Sequence, residues 1–325
     1  MRFKHTAVML GFAFLPITMT SPARAQSDAY PTQPVRIIVP FGAGGGVDVL
    51  ARLLSSHLSE LLKQIVLVEN RPGGASIIGA QAVAVSKPDG YTLLLNSSAQ
   101  AITPFMYAKL PFDPYTSFTA ITEVGRNPFV LCVHPGVPGA DLKGLVEYAK
   151  ANPEKLSFGV AGIGTPDHIS LELLSKRAEA KMLIVNFKGG GPALSAALGG
   201  QIGGVMLPAF QVAAHATAGR LKCLGVTSPT KLDQMPSTPP ISAVFPGYQF
   251  FGWYGLWGPK GMDPKLTKRI QESVTKVLTT AAFRARAETM GVEPSGTTPQ
   301  EFTEYLKGEM ATYDRLINER GIKAE

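Results

Sequence analysis

The chain has 325 residues, 45% of them apolar, with 31 basic and 24 acidic side chains and a formal charge of +7. That apolar share fits packed globular structure and argues against disorder; a modest positive charge without any Lys/Arg run argues against a nucleic-acid partner. The length exceeds one comfortable core and suits two domains.

In chain order, residues 1–25 read as a secretory signal peptide. Arg2 and Lys4 precede an apolar stretch from Ala7 to Met19, broken by Pro16, and Ala23-Arg24-Ala25 supplies an A-x-A cleavage site. The stretch is shorter than the about 20 apolar residues of a membrane span, and no Cys stands near the cleavage site to take a lipid. The mature protein is expected to start near Gln26 and to be soluble in a bacterial periplasm. Of the +7 charge, Arg2, Lys4 and Arg24 account for three, which leaves +4 and a mildly attractive field for small anions.

From there the pattern alternates β and α. VRIIVPF (35–41) is a strand candidate, followed by the glycine-rich PFGAGGGVD (40–48). Asp48 is placed as an N-cap, ahead of leucines that repeat at helical spacing up to Leu62. IVLVEN (65–70) reads as a strand, RPGGAS (71–76) as a glycine-rich loop, IIGAQAVAVS (77–86) as a short helix and YTLLLN (91–96) as a strand ending at Ser97-Ser98. A second block begins with the strand FVLCVHP (129–135), the helix LKGLVEYAKAN (142–152) and the strand LSFGV (156–160). AGIGTPDH (161–168) then leads into a helix whose Thr165-Pro166 fits an N-cap and N1 pair.

IVNFKGGGP (184–192) repeats the strand–glycine–helix theme, and VMLPAF (205–210) and LKCLGVTS (221–228) complete the block. Residues 228–247, rich in Pro, Ser and Thr, read as a long connection. The aromatic YQFFGWYGLWGPKG (248–261) is strand-like, a helix follows over about 263–280, and Thr298 to Glu301 has capping-box spacing before a last helix. Repeated β-loop-α units imply parallel sheets with helices on both faces. Ligands in such sheets sit beyond the carboxyl ends of strands, where loops 42–48, 71–76, 161–168 and 188–191 fall.

Several chemistries fail on spacing. For G-x-G-x-x-G begun at Gly42 or Gly44, the third glycine falls on Val47 or Val49, and the chain has no Gly-Lys for a P-loop. No G-x-S-x-G elbow occurs, and S-x-x-K at Ser228–Lys231 and Ser273–Lys276 lacks its companions. His57, His134, His168 and His215 are scattered singly, so no metal site is expected. His57 reads as a surface or boundary residue, while His168 follows a glycine-rich junction where its tip can face a cleft or pack inside. Cys132 and Cys223 lie in apolar runs; an exported pair can be oxidised, but the favoured reading is two buried small hydrophobes. What remains is anion recognition by glycine loops at helix starts, where free N–H groups and the helix dipole meet a carboxylate. No catalytic residue and no cofactor is identified.

At this point the chain resembles the Bug-type periplasmic binding proteins, the solute receptors of tripartite tricarboxylate transporters. The resemblance is carried by PVRIIVPFGAGGGVDVLARLLSSHLSELL, VLVENRPGGASIIGAQAVA, SKPDGYTLLL, LPFDPYTSF, GIGTPDHISLELL, FKGGGPALSAALGGQI, AGRLKCLGVTS and GVEPSGTTPQEF, spread over nearly the whole mature chain. It implies an α/β fold of two lobes, each a mostly parallel sheet flanked by helices, joined by two crossover strands near 124–130 and 225–250. Lobe 1 would comprise 26–127 plus 250–325 and lobe 2 would comprise 128–249, with Cys132 and Cys223 on neighbouring strands. It also implies a monomer that binds a small carboxylate through loop backbone and ordered water, without catalysis, and passes it to membrane permease subunits. A sensor subunit presenting ligand to a receptor kinase is the alternative, and an exported enzyme acting on a small acid the less favoured one.

Carried over by position, the ligand-binding residues are Ala43, Gly44, Gly45, Gly46, Val47 and Asp48, then Gly74, Ala75 and Ser76, with Ser97 and Ser98 in the first lobe. Thr165, His168, Lys188, Gly189 and Gly190 face them from the second. Two departures stand out. Gly46 replaces the Ser or Thr of the family's P-P-G-G-S/T-x-D loop, and Leu207 replaces the second Asp of V-D-L-M-F-D, with Pro208 and Ala209 extending an apolar wall. An ammonium facing Leu207 would be unpaired. The expected ligand therefore has an apolar or aromatic far end, or is a flat dicarboxylate such as terephthalate, and amino acids are disfavoured.

Overall fold

The computed structural model describes residues 30–107 and 109–320, so the leader read at 1–25 lies outside the described residues. In chain order the elements are β1 (Val35–Val39), α1 (Gly46–Leu62), β2 (Val66–Asn70), α2 (Ile77–Ala84), β3 (Thr92–Ser97), α3 (Ala99–Met106), β4 (Phe118–Val133), α4 (Leu142–Ala151), β5 (Ser157–Val160) and α5 (Pro166–Arg177). They continue with β6 (Leu183–Asn186), α6 (Gly190–Leu198), β7 (Gly204–Pro208), α7 (Ala209–Thr217), β8 (Lys222–Val226), β9 (Phe251–Pro259), α8 (Pro264–Leu278), α9 (Ala281–Thr289), β10 (Glu293–Pro294) and α10 (Pro299–Arg320). Among the described residues, no helix is long and apolar enough to cross a membrane.

The strand order is β2-β1-β3-β9-β4-β7-β5-β6, with β8 and β10 also paired to β4. The outer pairs β1–β2, β1–β3, β5–β6 and β5–β7 are parallel. The middle is antiparallel: β9 pairs with β3 and β4, and β4 pairs with β7 and β8. The apolar runs of β1 and β3 are covered on both faces, and Ile37, Val39, Leu94 and Leu95 are fully buried. α1 buries Leu50, Leu54 and Leu58, one turn apart, and packs on β2 and α8.

β4 joins the two halves of the sheet. Its residues Phe118 to Pro128 pair with β9, whereas Phe129 to Val133 pair with β7 and Val130 to Val133 with β8. The chain returns between β8 and β9, and Thr227 ties the two passages together. Its hydroxyl accepts from Phe129 N at 2.8 Å and donates to Phe250 O at 2.6 Å, and its own N–H donates to Phe129 O at 2.9 Å. The C-terminal helices come back to the β1–β3 half, where α10 packs on α3 and β4. There Trp253, Trp257 and Phe302 form a buried aromatic cluster, and the Trp253 indole donates to Glu309 at 2.7 Å.

Two sequence-based expectations need correction, the Asp48 cap and the free cysteines, whereas the Thr165–Pro166 pair stands at the cap and start of α5 as expected. α1 begins at Gly46 with Gly45 as its N-cap, so Asp48 stands in the first turn and not at the cap. Gly46 and Val47 take helical geometry because Asp48 reaches back to the Gly44 N–H at 2.9 Å. Cys132 and Cys223 are not two free hydrophobes but a disulfide, since antiparallel β4 and β8 set them directly opposite. Thr165 does precede α5 as its N-cap, but its hydroxyl donates to Gly162 O at 2.6 Å and does not cap the helix. The capping box is present: Thr298 N donates to Glu301 Oε2 at 2.8 Å, and Glu301 N to Thr298 Oγ1 at 3.2 Å. His57 is half-buried at a boundary, edge-on to Phe283.

Candidate functional site

Four helix starts meet at one cavity. It is lined by Gly45, Gly46 and Val47 from α1, by Thr165, Pro166 and Asp167 from α5, by Gly190 from α6, and by Pro208 and Gln211 from the start of α7. Phe41, Ser97, Asn127, Phe129, Ala161, Leu207, Gly252, Trp253 and Tyr254 complete the walls, which enclose about 490 Å³ with the mouth included. The site takes this form because β1 runs with β4 while β5, β6 and β7 run against it, so the carboxyl ends of the two sets point at each other and their junctions meet around the middle of β4. Among the described residues, no Lys, Arg or His belongs to the lining. The helix starts bring to it partial positive charges, each about half a unit, and first-turn N–H groups that have no intrahelical acceptor.

A neighbouring cavity is lined by Gly73, Gly74, Ala75, Ser76, Tyr107, Gly162, Phe187 and Lys188, and shares Phe41 and Ala161 with the first. The expected site residues thus divide. Gly45, Gly46, Val47, Ser97, Thr165, Gly190, Leu207 and Pro208 line the first cavity, and Gly74, Ala75, Ser76 and Lys188 the second. Ala43, Gly44, Asp48, Ser98, His168, Gly189 and Ala209 line neither. In the second cavity Gly73, Gly74, Ala75 and Ser76 all have positive φ. For Ala75 and Ser76 that left-handed geometry is strained, a condition that collects at functional loops.

Close approach explains the glycines at the mouth. A Cβ on Gly42 would lie 2.7 Å from Lys188 O, and one on Gly189 would lie 3.3 Å from Gly42 N. The loops 42–46 and 188–191 therefore meet backbone to backbone, and Gln211 Nε2 donates to Gly44 O at 3.0 Å beside them. Gly46 is constrained from inside, because its Cβ would lie 3.0 Å from the Tyr254 hydroxyl and 3.4 Å from Pro208 Cγ.

The buried ionisable groups have distinct roles. Asp48 accepts from Gly44 N, from Arg52 Nε at 3.1 Å and from Asn70 Nδ2 at 2.9 Å. Burial pulls its carboxyl upward, but these partners prevail and hold it below the usual carboxylate range. It shapes the glycine loop from behind. Asp167 lies inside the cavity; burial pushes it up to about 6, against the N–H bonds it receives from Ala161 at 2.6 Å and from its own helix start. Tyr254 is raised by burial and by the nearby Asp167. His168 is packed inside, accepting from Gly164 N at 3.0 Å, and burial lowers it to about 4 although Glu172 stands 3.8 Å away. Among the described residues no group of His, Cys, Asp and Glu is arranged to hold a metal.

Sequence reasoning passed over Asp167, Asn127, Gln211, Trp253 and Tyr254 as lining residues. Asp167 stood in a junction already marked, between Pro166 and His168, and the aromatic run at 248–261 was visible. Asn127 and Gln211 carried no local signal, since they reach the cavity only through the long β4 and through α7.

Comparison with known proteins agrees with this architecture. The family described as tripartite tricarboxylate transporter family receptor matches residues 50–322. A protein of Pseudomonas sp. (strain P51), named for the tcbD-tcbE intergenic region, is 32% identical over 319 residues, covering 98% of this chain and 95% of that one. BugT of Bordetella pertussis is 30% identical over 304 residues, covering 93% of each chain. Among solved structures, the periplasmic binding protein BugD superposes with a TM-score of 0.87 at 29% identity, over 91% of this chain and all of that one. A Rhodopseudomonas palustris protein solved with adipate gives 0.87 at 28%, over 90% and 99%. MatC of the same organism, solved with bound malate, gives 0.83 at 25%, over 89% and 100%. With its two-lobed α/β fold and a match that runs through both halves, the chain belongs to the tripartite tricarboxylate transporter receptor family.

Proposed function

We propose that this protein is a periplasmic receptor that captures a small carboxylate with an apolar or aromatic body and delivers it to the membrane subunits of a tripartite tricarboxylate transporter. One observation carries the reading: four helix starts open onto a cavity whose remaining walls are largely apolar and aromatic and, among the described residues, include no cationic side chain. A carboxylate there is held by the N–H groups of Gly45, Gly46, Val47 and Gly190, aided by the helix dipoles, while Phe41, Val47, Phe129, Leu207, Trp253 and Tyr254 enclose the body. Adipate and malate in the two relatives supply precedent for small carboxylates. The Cys132–Cys223 disulfide fits an oxidising compartment. Residues up to 127 together with 250 onward, and residues 128–249, move as two bodies about the paired crossings at Thr227, and the protein works as a monomer that binds without turnover.

Titration calorimetry of the purified protein with benzoate, phenylacetate and terephthalate, against citrate, glutamate and aspartate, tests the ligand class. The reading expects the aromatic carboxylates to bind more tightly than citrate. Tight glutamate binding with no aromatic binding overturns it.

A further inference from the structure

Most side-chain donors in the cavity wall are already engaged by the chain. The Asn127 amide donates to Pro128 O at 3.0 Å, the Gln211 amide to Gly44 O at 3.0 Å and the Trp253 indole to Glu309 at 2.7 Å. The Thr165 hydroxyl donates to Gly162 O at 2.6 Å. Two hydroxyls of the lining remain without an acceptor among the described residues, those of Ser97 and Tyr254. Ser97 Oγ at least accepts from Ala99 N at 3.3 Å. The hydroxyl of Tyr254, a residue 4% exposed, makes no hydrogen bond with any described residue. A buried donor left unanswered is unfavourable.

Position gives that donor a use. Ser97 and Tyr254 are directly paired across β3 and β9, which sets both side chains on one face of the sheet. Ser97 is tied to the start of α3 by the Ala99 N–H, whereas Tyr254 reaches α1, its hydroxyl 3.0 Å from where a Cβ of Gly46 would stand. Gly46 is the first residue of α1, and the N–H groups of Gly45, Gly46 and Val47 have no backbone acceptor there among the described residues. The phenol thus stands beside the backbone donors of one helix start. Burial and the nearby Asp167 carboxylate both push its ionisation up, so the hydroxyl keeps its proton. Asp167 itself is occupied by the N–H groups of Ala161 and of the α5 start.

We infer that Tyr254 is a specificity-determining residue of the site: its hydroxyl donates to the ligand's carboxylate beside the N–H groups of α1, while its ring stays part of the apolar wall. The inference rests on the carboxylate-receptor reading and deepens it by naming a side chain that grips the carboxylate. A phenol donating to a carboxylate makes a charge-assisted hydrogen bond, stronger than one between neutral groups. It adds a directed donor to the helix start without adding a charge.

The test is Tyr254→Phe, which removes the hydroxyl and keeps the ring. Parent and variant are titrated calorimetrically with benzoate, phenylacetate, terephthalate, citrate, glutamate and aspartate, and both are unfolded in urea without ligand. Each carboxylate that binds the parent is expected to bind the variant more weakly, by about fivefold or more. Because the hydroxyl has no partner in the chain, its removal should leave the urea midpoint unchanged or raise it. A residue that merely supports the fold would lose stability and binding together. A smaller loss of affinity, or a loss that comes with a lower urea midpoint, overturns the role of Tyr254 and leaves the carboxylate reading standing. Failure of every carboxylate to bind the parent overturns both.

Discussion

Gly46 shows how one residue records a trade between two parts of the cavity. The sequence resemblance implies a hydroxyl side chain at that position, whereas here the space is taken by the Tyr254 hydroxyl, 3.0 Å from where a Cβ would stand. Restoring the side chain forces the phenol or the helix start to move, an overpacking effect of typically 1–3 kcal/mol. Gly46→Ser is therefore expected to lower stability by about 1–2 kcal/mol, read as a shift of the urea midpoint. Adding Tyr254→Phe, which removes the contacting oxygen, should recover most of it. A double variant no more stable than Gly46→Ser alone would show that the two residues do not compete for this space. Asp48 illustrates the opposite case, a buried carboxylate with a full set of partners whose work is done behind the loop.

At the scale of elements, β4 and β8 decide the fate of the cysteines. Each Cys lies in an apolar run, and only antiparallel pairing across 91 residues of sequence brings them opposite one another. Closing a loop of that length restricts the unfolded chain and stabilises the fold by about 3–5 kcal/mol. Reduction, or Cys132→Ser with Cys223→Ser, is expected to lower the unfolding free energy by an amount in that range, read from urea unfolding with and without reductant. An unchanged midpoint on reduction would contradict a structural disulfide. The glycine loops belong to the same scale: those after β1 and β6 touch through Gly42 and the Lys188 carbonyl, which any larger residue would push apart. Glycine here serves the close contact of the two loops.

The stability of the whole molecule should report the two adjacent buried groups of α5 with opposite signs. His168 titrates at about 4 in the folded protein, below its ordinary 6.5, so the unfolded chain takes up its proton first and stability falls as pH drops through that window. Asp167 titrates at about 6, above its ordinary 3.8, so the folded protein takes up its proton first and stability rises as pH falls from 6 towards 4. Between pH 7 and pH 4.5 each contribution amounts to about 2 kcal/mol, and the two largely cancel. Asp167→Asn should leave the histidine effect exposed and lose stability on acidification, while His168→Gln should gain it. Urea unfolding at the two pH values measures both, and parallel profiles for the two variants would refute this assignment.

The local pattern of the chain determined most of its elements, because hydrophobic period, glycine placement and proline are read over a few residues. The strand–glycine–helix junctions of α1, α5 and α6, the capping box before α10 and the aromatic β9 were legible in this way. What only the tertiary structure decided are matters of long-range pairing. β4 extends back to Phe118 and serves both halves of the sheet, α3 and α7 lie in stretches without clear periodicity, and Cys132 finds Cys223 across them. The cavity wall belongs to the same class. Asn127, Asp167, Gln211 and Tyr254 are far apart in sequence, and they line one cavity because oppositely running strands point their carboxyl ends at each other around the middle of β4.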